Sequence, residues 1–306
     1  MSSSDGGPLE VEEGKLEVHG ETILWRQWSP AKPRGALLII HGLAEHSGRY
    51  GFVVDHFTAR GYACWSFDLR GHGLSTGLRV HVDRFDEYQQ EVTAVYRLLR
   101  QHHGEDLPVY LVGHSMGGQI ALRYILALSS ETSLALSSDE LLGIAPHKPP
   151  AGAILSSPAI GGHPDLDPNP ILGLVARLLS IVAPRTLFPT DLDASTISRD
   201  PAVVEAYRND PLVGGKVSAR WFTEIRRAMK NTLKRADDLG LPVLLMQSGD
   251  DRLVDAAASR RFADAAPAQH LEYVEWEGLF HEMFNEPERE EVFERMERWL
   301  GEQAAH

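Results

Sequence analysis

"PVYLVGHSMGGQIALRY", Pro108 to Tyr124, changes character at its midpoint. Up to His114 it is a short apolar run of the kind that forms a buried strand. From Met116 onward it reads as a helix. Ser115 sits at the joint, with Gly113, Gly117 and Gly118 around it. The stretch fits the pattern G-x-S-x-G, in which a serine occupies a tight strand-to-helix turn and its oxygen projects above a sheet. Side chains two residues to either side would collide in such a turn, which accounts for Gly113 and Gly117. The helix starts at the serine, and its unpaired N–H groups favour negative charge. The N–H of Met116 is therefore an expected oxyanion donor. So short a pattern also arises by chance in a glycine-rich turn, so the rest of the chain has to supply the context.

Outward from this corner, apolar runs alternate with helical patterns. "LEVHGETILWRQW" reads as a hairpin about His19-Gly20. "GALLIIHG", "YACWSFD", "AGAILSSPA", "PVLLMQSGDD" and "HLEYVEW" read as further strands. Helices are expected near Tyr50 to Arg60, from Phe85 to His103, after Ser115, and from about Pro287 to Leu300. Continuous apolar strands between helices predict an α/β fold with a mostly parallel sheet of about eight strands covered on both faces, the first pair antiparallel. Two regions break the alternation. Ser129 to Pro150 is rich in Ser and Pro and reads as a surface excursion. Pro158 to Gly215 is too long for a plain connection and reads as a lid over the C-terminal edge of the sheet, followed by a sheet-covering helix near Lys216 to Leu239. The expected division is thus a core in two parts, residues 1–157 and 216–306, with the lid at 158–215.

The chain has 306 residues and a formal net charge of -13. Such an acidic chain is a poor candidate for nucleic acid or for electrostatic docking on anionic lipid. One cysteine, Cys64, lies in an apolar run; it excludes an internal disulfide and a cysteine-based zinc site and is expected in the core. The polar, acidic start "MSSSDGGPLEVEEGK" lacks the features of a signal peptide. The longest apolar stretch, Ile171 to Ala183, is too short for a bilayer and contains Arg177. A cytoplasmic protein touching membranes at most transiently is expected.

An elbow serine needs a base, and in this kind of fold the order along the chain is serine, acid, histidine. His270, His281 and His306 lie far enough downstream. His270 begins a strand and His306 ends the chain. His281 lies in "EGLFHEMFNEPE", between the last strand and the last helix, at the expected edge of the sheet. The acid should follow the preceding strand, where "LLMQSGDDRLVD" offers Asp250, Asp251 and Asp255. Spacing does not separate the first two. The acid should accept the histidine's Nδ1–H and stabilise the imidazolium; the remaining aspartates would be turn residues or helix caps. A second oxyanion donor is expected after the third strand, where His41-Gly42 turns the chain and presents the N–H of Leu43.

In combination, "HGLAEHSGRY", "FDLRGHGLSTG", "GHSMGG", "SRDPAVVEAYRNDPLV", "SGDDRLVD" and the His281 loop resemble the monoacylglycerol lipase branch of the serine α/β-hydrolases, which also includes lysophospholipase-like and serine-aminopeptidase-like members. The resemblance covers nearly the whole chain. It implies an α/β-hydrolase fold, Ser115 as nucleophile, His281 as base and Asp251 as acid, the last because the family places the acid just before "RLVD". Leu43 and Met116 match the oxyanion donors. Glu45, Arg49 and Tyr207 match residues near the alcohol end of the site, although the first two would also make a local ion pair. Mammalian members carry a second histidine three residues past the base, where this chain has Phe284.

In the lid, Ile171, Leu174, Val175, Leu178 and Val182 share one helical face, widened by Leu172, Leu179 and Ile181. The face either packs within the lid or lines an acyl tunnel and meets a lipid surface, with Ile171, Val175 and Leu178 as expected substrate contacts. The implied reaction is hydrolysis of a monoacylglycerol or similar fatty acyl ester through an acyl-enzyme, with no metal or cofactor required. A broader carboxylesterase or lysophospholipase would use the same groups. A non-catalytic ligand-binding module is the alternative outside enzymes.

Overall fold

The computed structural model describes residues 11–129, 148–166, 170–190 and 192–304, with the side chain of Pro170 excepted. The first ten residues, His306 and nearly all of the expected excursion at Ser129 to Pro150 lie outside the described residues. Strands β1 (Glu12–Val18) and β2 (Glu21–Trp28) form the expected hairpin. Its two turn residues have positive φ, 48° at His19 and 84° at Gly20, the geometry whose twist matches that of the flanking strands.

The chain then alternates: β3 (Gly35–Ile40), α1 (Gly51–Thr58), β4 (Tyr62–Phe67), α2 (Glu87–His103), β5 (Val109–His114), α3 (Met116–Ser129) and β6 (Gly152–Ser156). After the long interruption come β9 (Val243–Ser248), α7 (Ala256–Ala265), β10 (Leu271–Trp276) and α8 (Arg289–Gln303). The eight strands form one sheet in the order β1-β2-β4-β3-β5-β6-β9-β10, antiparallel at β1–β2 and β2–β4 and parallel elsewhere. The parallel strands β3 to β6 and β9 are buried on both faces, as their apolar runs require, while β10 at the sheet edge is half-buried. Leu38 and Ile40 join a core with Trp65, Val92, Ile120 and Phe262 on one side. Leu37 and Ile39 join Val53, Phe57, Phe293 and Trp299 on the other, where Cys64 is also buried.

The strand order positions the site. From β3 the chain moves outward to β4, then returns to the far side of β3 as β5. The carboxyl ends of β3 and β5 are therefore neighbours whose following loops diverge, and a crevice opens between them.

The interruption holds α4 (Pro170–Val182), β7 (Leu187–Pro189), α5 (Pro201–Asn209), β8 (Lys216–Ser218) and α6 (Ala219–Leu233). Two details depart from expectation. β7 and β8 form a separate two-stranded antiparallel sheet, so Lys216 is in a strand and the helix starts at Ala219. That strand pair also straddles the expected boundary at residue 215. The helix starts where it does because Ser218 caps it, its side chain accepting from the Trp221 N–H. Among the described residues no helix is long and apolar enough to cross a membrane.

Candidate active site

Ser115 has φ of +53°, a left-handed conformation that a non-glycine residue adopts only when its surroundings impose it. The neighbours show what imposes it. A Cβ on Gly117 would lie 2.0 Å from the Ile40 carbonyl oxygen, and one on Gly113 would lie 2.5 Å from that of Gly117. The turn therefore presses against the end of β3, and only glycine fits at those positions. The Ser115 N–H donates to the Ser156 carbonyl at 2.9 Å, and its own carbonyl accepts the first helical bond from Gln119 at 3.0 Å. The N–H groups of the first turn of α3, that of Met116 first, have no acceptor within the helix.

The loop after β3 comes alongside. A Cβ on Gly42 would meet the Ser115 Cβ at 3.3 Å. The Gly42 N–H is held by Glu45 Oε1 at 2.6 Å. The Gly42 carbonyl lies 2.7 Å from His41 Nδ1, while His41 Nε2 accepts from the Leu69 N–H at 3.0 Å, so the His41 proton sits on Nδ1. Burial keeps this imidazole neutral, holding its pKa below the usual histidine value. With Gly42 clamped at both ends, Leu43 is set beside Ser115, and both line a cavity of about 120 Å³.

His281 lines the same cavity, and its Nδ1 is 2.7 Å from Asp251 Oδ2. The other Asp251 oxygen accepts from the N–H groups of Leu253 and Val254 at 2.8 and 3.0 Å. Burial opposes the charge on each partner, but the pair overcomes it. Asp251 is held below the ordinary carboxylate range by His281 and those two amides. His281 is raised above the ordinary histidine value by Asp251, with smaller help from Glu282 and Glu45. The His114 ring lies tilted, 4.7 Å from that of His281, but is pushed down to about 3 by burial and by His281 itself, so it adds no positive charge there.

The structure separates Asp250 from Asp251, which spacing left together, and places Asp255 as well. Asp250 is exposed, and Asp255 caps α7 through the Ala257 N–H. Asp251 is buried against the histidine. His270 stands just before β10, its carbonyl accepting from Val243.

Glu45 and Tyr207 line the cavity, and Arg49 contacts both. Glu45 also accepts from Tyr50 Oη at 2.8 Å and from Arg49 at 2.7 Å. The Arg49 guanidinium makes a two-pronged pair with Glu282, both contacts 2.7 Å, and lies 4.7 Å from the centre of the Tyr207 ring. Burial opposes both charges, but Arg49 holds Glu45 below the ordinary carboxylate range, and Glu282 first, then Glu45, raises Arg49. Glu282, which lines the cavity, escaped sequence reasoning; its place next to His281 was the one available signal.

The apolar wall is also different from expectation. Trp221, Ile225 and Met229 of α6 line the cavity, together with Leu192, Ile197 and Val254. Their spacing of four puts the α6 residues on one helical face. Ile171, Val175 and Leu178 do not line it. They are 76%, 41% and 58% exposed on the outer face of α4. The reason is that α4 turns its small residues inward: Ala176 and Ser180 are buried, and Ser180 Oγ is 2.7 Å from Thr223 Oγ1 of α6. Small residues let two helix backbones approach closely, whereas bulky ones would hold them apart.

A serine at a strained turn, two amide-bearing loops, and an imidazole oriented by a buried carboxylate make up the equipment of acyl transfer. Known proteins agree. The model of the serine aminopeptidase S33 family matches residues 31–288. The chain is 35% identical to phospholipase YtpA of Bacillus subtilis, over 87% of this chain and 95% of that one. It is 34% identical to a monoacylglycerol lipase of Mycolicibacterium smegmatis, over 92% and 94%. The crystal structure of Paleococcus ferrophilus monoacylglycerol lipase superposes with a TM-score of 0.76 at 27% identity, covering 94% of this chain and all of that one. The chain belongs to the serine aminopeptidase S33 family of α/β-hydrolases, and within it is similar to monoacylglycerol lipases.

Proposed function

We propose that the protein hydrolyses monoacylglycerols to fatty acid and glycerol, with Ser115 as nucleophile, His281 as base and Asp251 as the acid that orients it. What carries the proposal is the Asp251–His281 pair at 2.7 Å, opening onto the cavity that Ser115 also lines. His281 Nε2 takes the Ser115 proton as Oγ attacks the ester carbonyl. The N–H groups of Leu43 and Met116 hold the oxyanion of the tetrahedral intermediate. Glycerol leaves with the proton from His281, and the acyl group stays on Ser115. Water then attacks the acyl-enzyme, His281 taking its proton, and fatty acid is released.

The cavity has a polar and an apolar end. Glu45, Tyr207 and Glu282 suit hydroxyl groups, and Trp221, Ile225 and Met229 suit an acyl chain. Each methylene removed from water contributes about 0.8 kcal/mol, so the acyl chain dominates binding. Residues 158–215 act as a lid in this scheme. The exposed apolar face of α4 touches lipid surfaces transiently, and the enzyme works in the cytoplasm at the membrane periphery.

Ser115→Ala should lower turnover about a millionfold, as when one member of a triad is removed. A variant keeping a tenth of the activity would end the proposal. The alcohol end is tested by comparing monoacylglycerols with methyl esters of the same chain. Equal rates would leave a general carboxylesterase. The match to a phospholipase supports a second reading, a lysophospholipid hydrolase, and a lysophospholipid series in the same assay separates the two.

A further inference from the structure

Helix α6 has two working faces. Trp221, Ile225 and Met229 line the cavity beside Ser115. Phe222, Arg226, Arg227 and Lys230 face the other way and, with Gly173, Leu174 and Arg177 of α4, line a separate open groove. The groove is basic in a chain whose charge is strongly negative. From Pro170 to Pro189 and from Ala219 to Leu233 there are six arginines and lysines against the single acid Glu224. These segments carry +5, which leaves -18 for the rest of a chain of -13. Glu224 is 3.8 Å from Arg227, whose side chain is 71% exposed, so it offsets little of that charge. The adjoining face of α4 is apolar and open to solvent, with Leu174 68% and Ile181 73% exposed.

We propose that this groove takes the phosphate of an anionic phospholipid at a bilayer surface and seats the apolar face of α4 among the headgroups. The proposal rests on reading that face as a lipid contact, and it names the lipid. It departs from the expectation, drawn from net charge, that anionic lipid is a poor partner. Net charge governs distant approach, but a local patch governs contact, because fields fade within about 10 Å at ordinary salt. The negative remainder has its own consequence. Its net charge disfavours an anionic surface, whereas the α4–α6 groove favours one. Helix α6 then lines both the lipid-facing groove and the cavity beside Ser115.

Binding is measured by sedimentation with vesicles of phosphatidylcholine alone and with rising fractions of phosphatidylglycerol, at low and high salt. The wild type should prefer the mixed vesicles, and salt should remove the preference. Each basic residue near an anionic surface strengthens binding about fivefold, so Arg177→Gln/Arg227→Gln/Lys230→Gln should weaken it about 100-fold. Turnover of a soluble short-chain ester by this variant should be unchanged, which shows that it is folded. Retention of the phosphatidylglycerol preference by the variant would overturn the proposal. Loss of vesicle binding by the wild type in inorganic phosphate, at matched ionic strength, would also overturn it by reassigning the groove to a free anion. Equal binding to both vesicle types that is abolished by Leu174→Ser/Leu178→Ser would overturn the anionic site and leave the lipid contact standing. Binding to neither would remove both.

Discussion

Asp251→Asn tests the site most sharply, because the substitution keeps nearly every contact. The carboxamide oxygen can still accept the N–H groups of Leu253 and Val254, now at 2.8 and 3.0 Å. The amide nitrogen then falls where Oδ2 was, 2.7 Å from His281 Nδ1. That nitrogen is a donor, so Nδ1 must become the acceptor and the ring proton moves to Nε2. An imidazole protonated at Nε2 cannot take the proton of Ser115. Turnover should fall about 10⁴-fold, the loss that follows when a triad histidine is held in the wrong tautomer. The fold should survive, with thermal unfolding near that of the wild type at neutral pH. Asp250→Asn is the control; its side chain is exposed, and turnover should stay within about twofold, in line with the near-neutral effect of most surface changes. The assay is steady-state hydrolysis of a soluble short-chain ester, so that lipid binding plays no part. Asp251→Asn within tenfold of wild type, or Asp250→Asn as the more damaging change, would refute the assignment.

Because Asp251 and Glu282 hold His281 above its ordinary value, kcat/KM should be lost as pH falls through a limb above about 6.5, where the imidazolium can no longer accept a proton. Asp251→Asn should move any residual limb to lower pH, and a pH–rate profile checks both. Gly117→Ala should destabilise the fold by about 3 kcal/mol in denaturant unfolding, since the new methyl would lie 2.0 Å from the Ile40 carbonyl. Gly162→Ala, whose Cβ meets nothing within 4 Å, should stay within about 0.5 kcal/mol of wild type. Ile225→Trp should fill the apolar end, so the ratio of kcat/KM for long over short acyl esters should fall about tenfold or more as two or so methylenes lose their burial.

The parts of the molecule governed by short-range rules were legible in the sequence. Unbroken apolar runs foretold strands covered on both faces, and the glycines about Ser115 foretold a turn that tolerates no Cβ. His281 and the aspartates were found because loops at the carboxyl ends of parallel strands converge. Choosing Asp251 over Asp250 by chemistry needed the fold, since only burial distinguishes adjacent carboxylates. What escaped depended on direction or distance. The apolar residues of α4 read as a face packed in the lid or shared between an acyl tunnel and a lipid surface; Ala176 and Ser180 took the inward place because close helix contact favours small side chains. Helix α6 read as a cover for the sheet, and nothing in its spacing announced that Trp221 and Ile225 would reach a serine more than 100 residues away. The β7–β8 pair has three residues a strand, too few to show an alternation.

Arg49 holds more than its two carboxylates. Through Glu45 it reaches the segment that presents Leu43, through Glu282 the residue next to the base, and its flat side supports Tyr207. One guanidinium thus rivets three stretches of chain that have no neighbourhood in the sequence. In the proposed scheme a substitution at this arginine shifts the preference for the alcohol and the proton chemistry together, for the same bolt secures both.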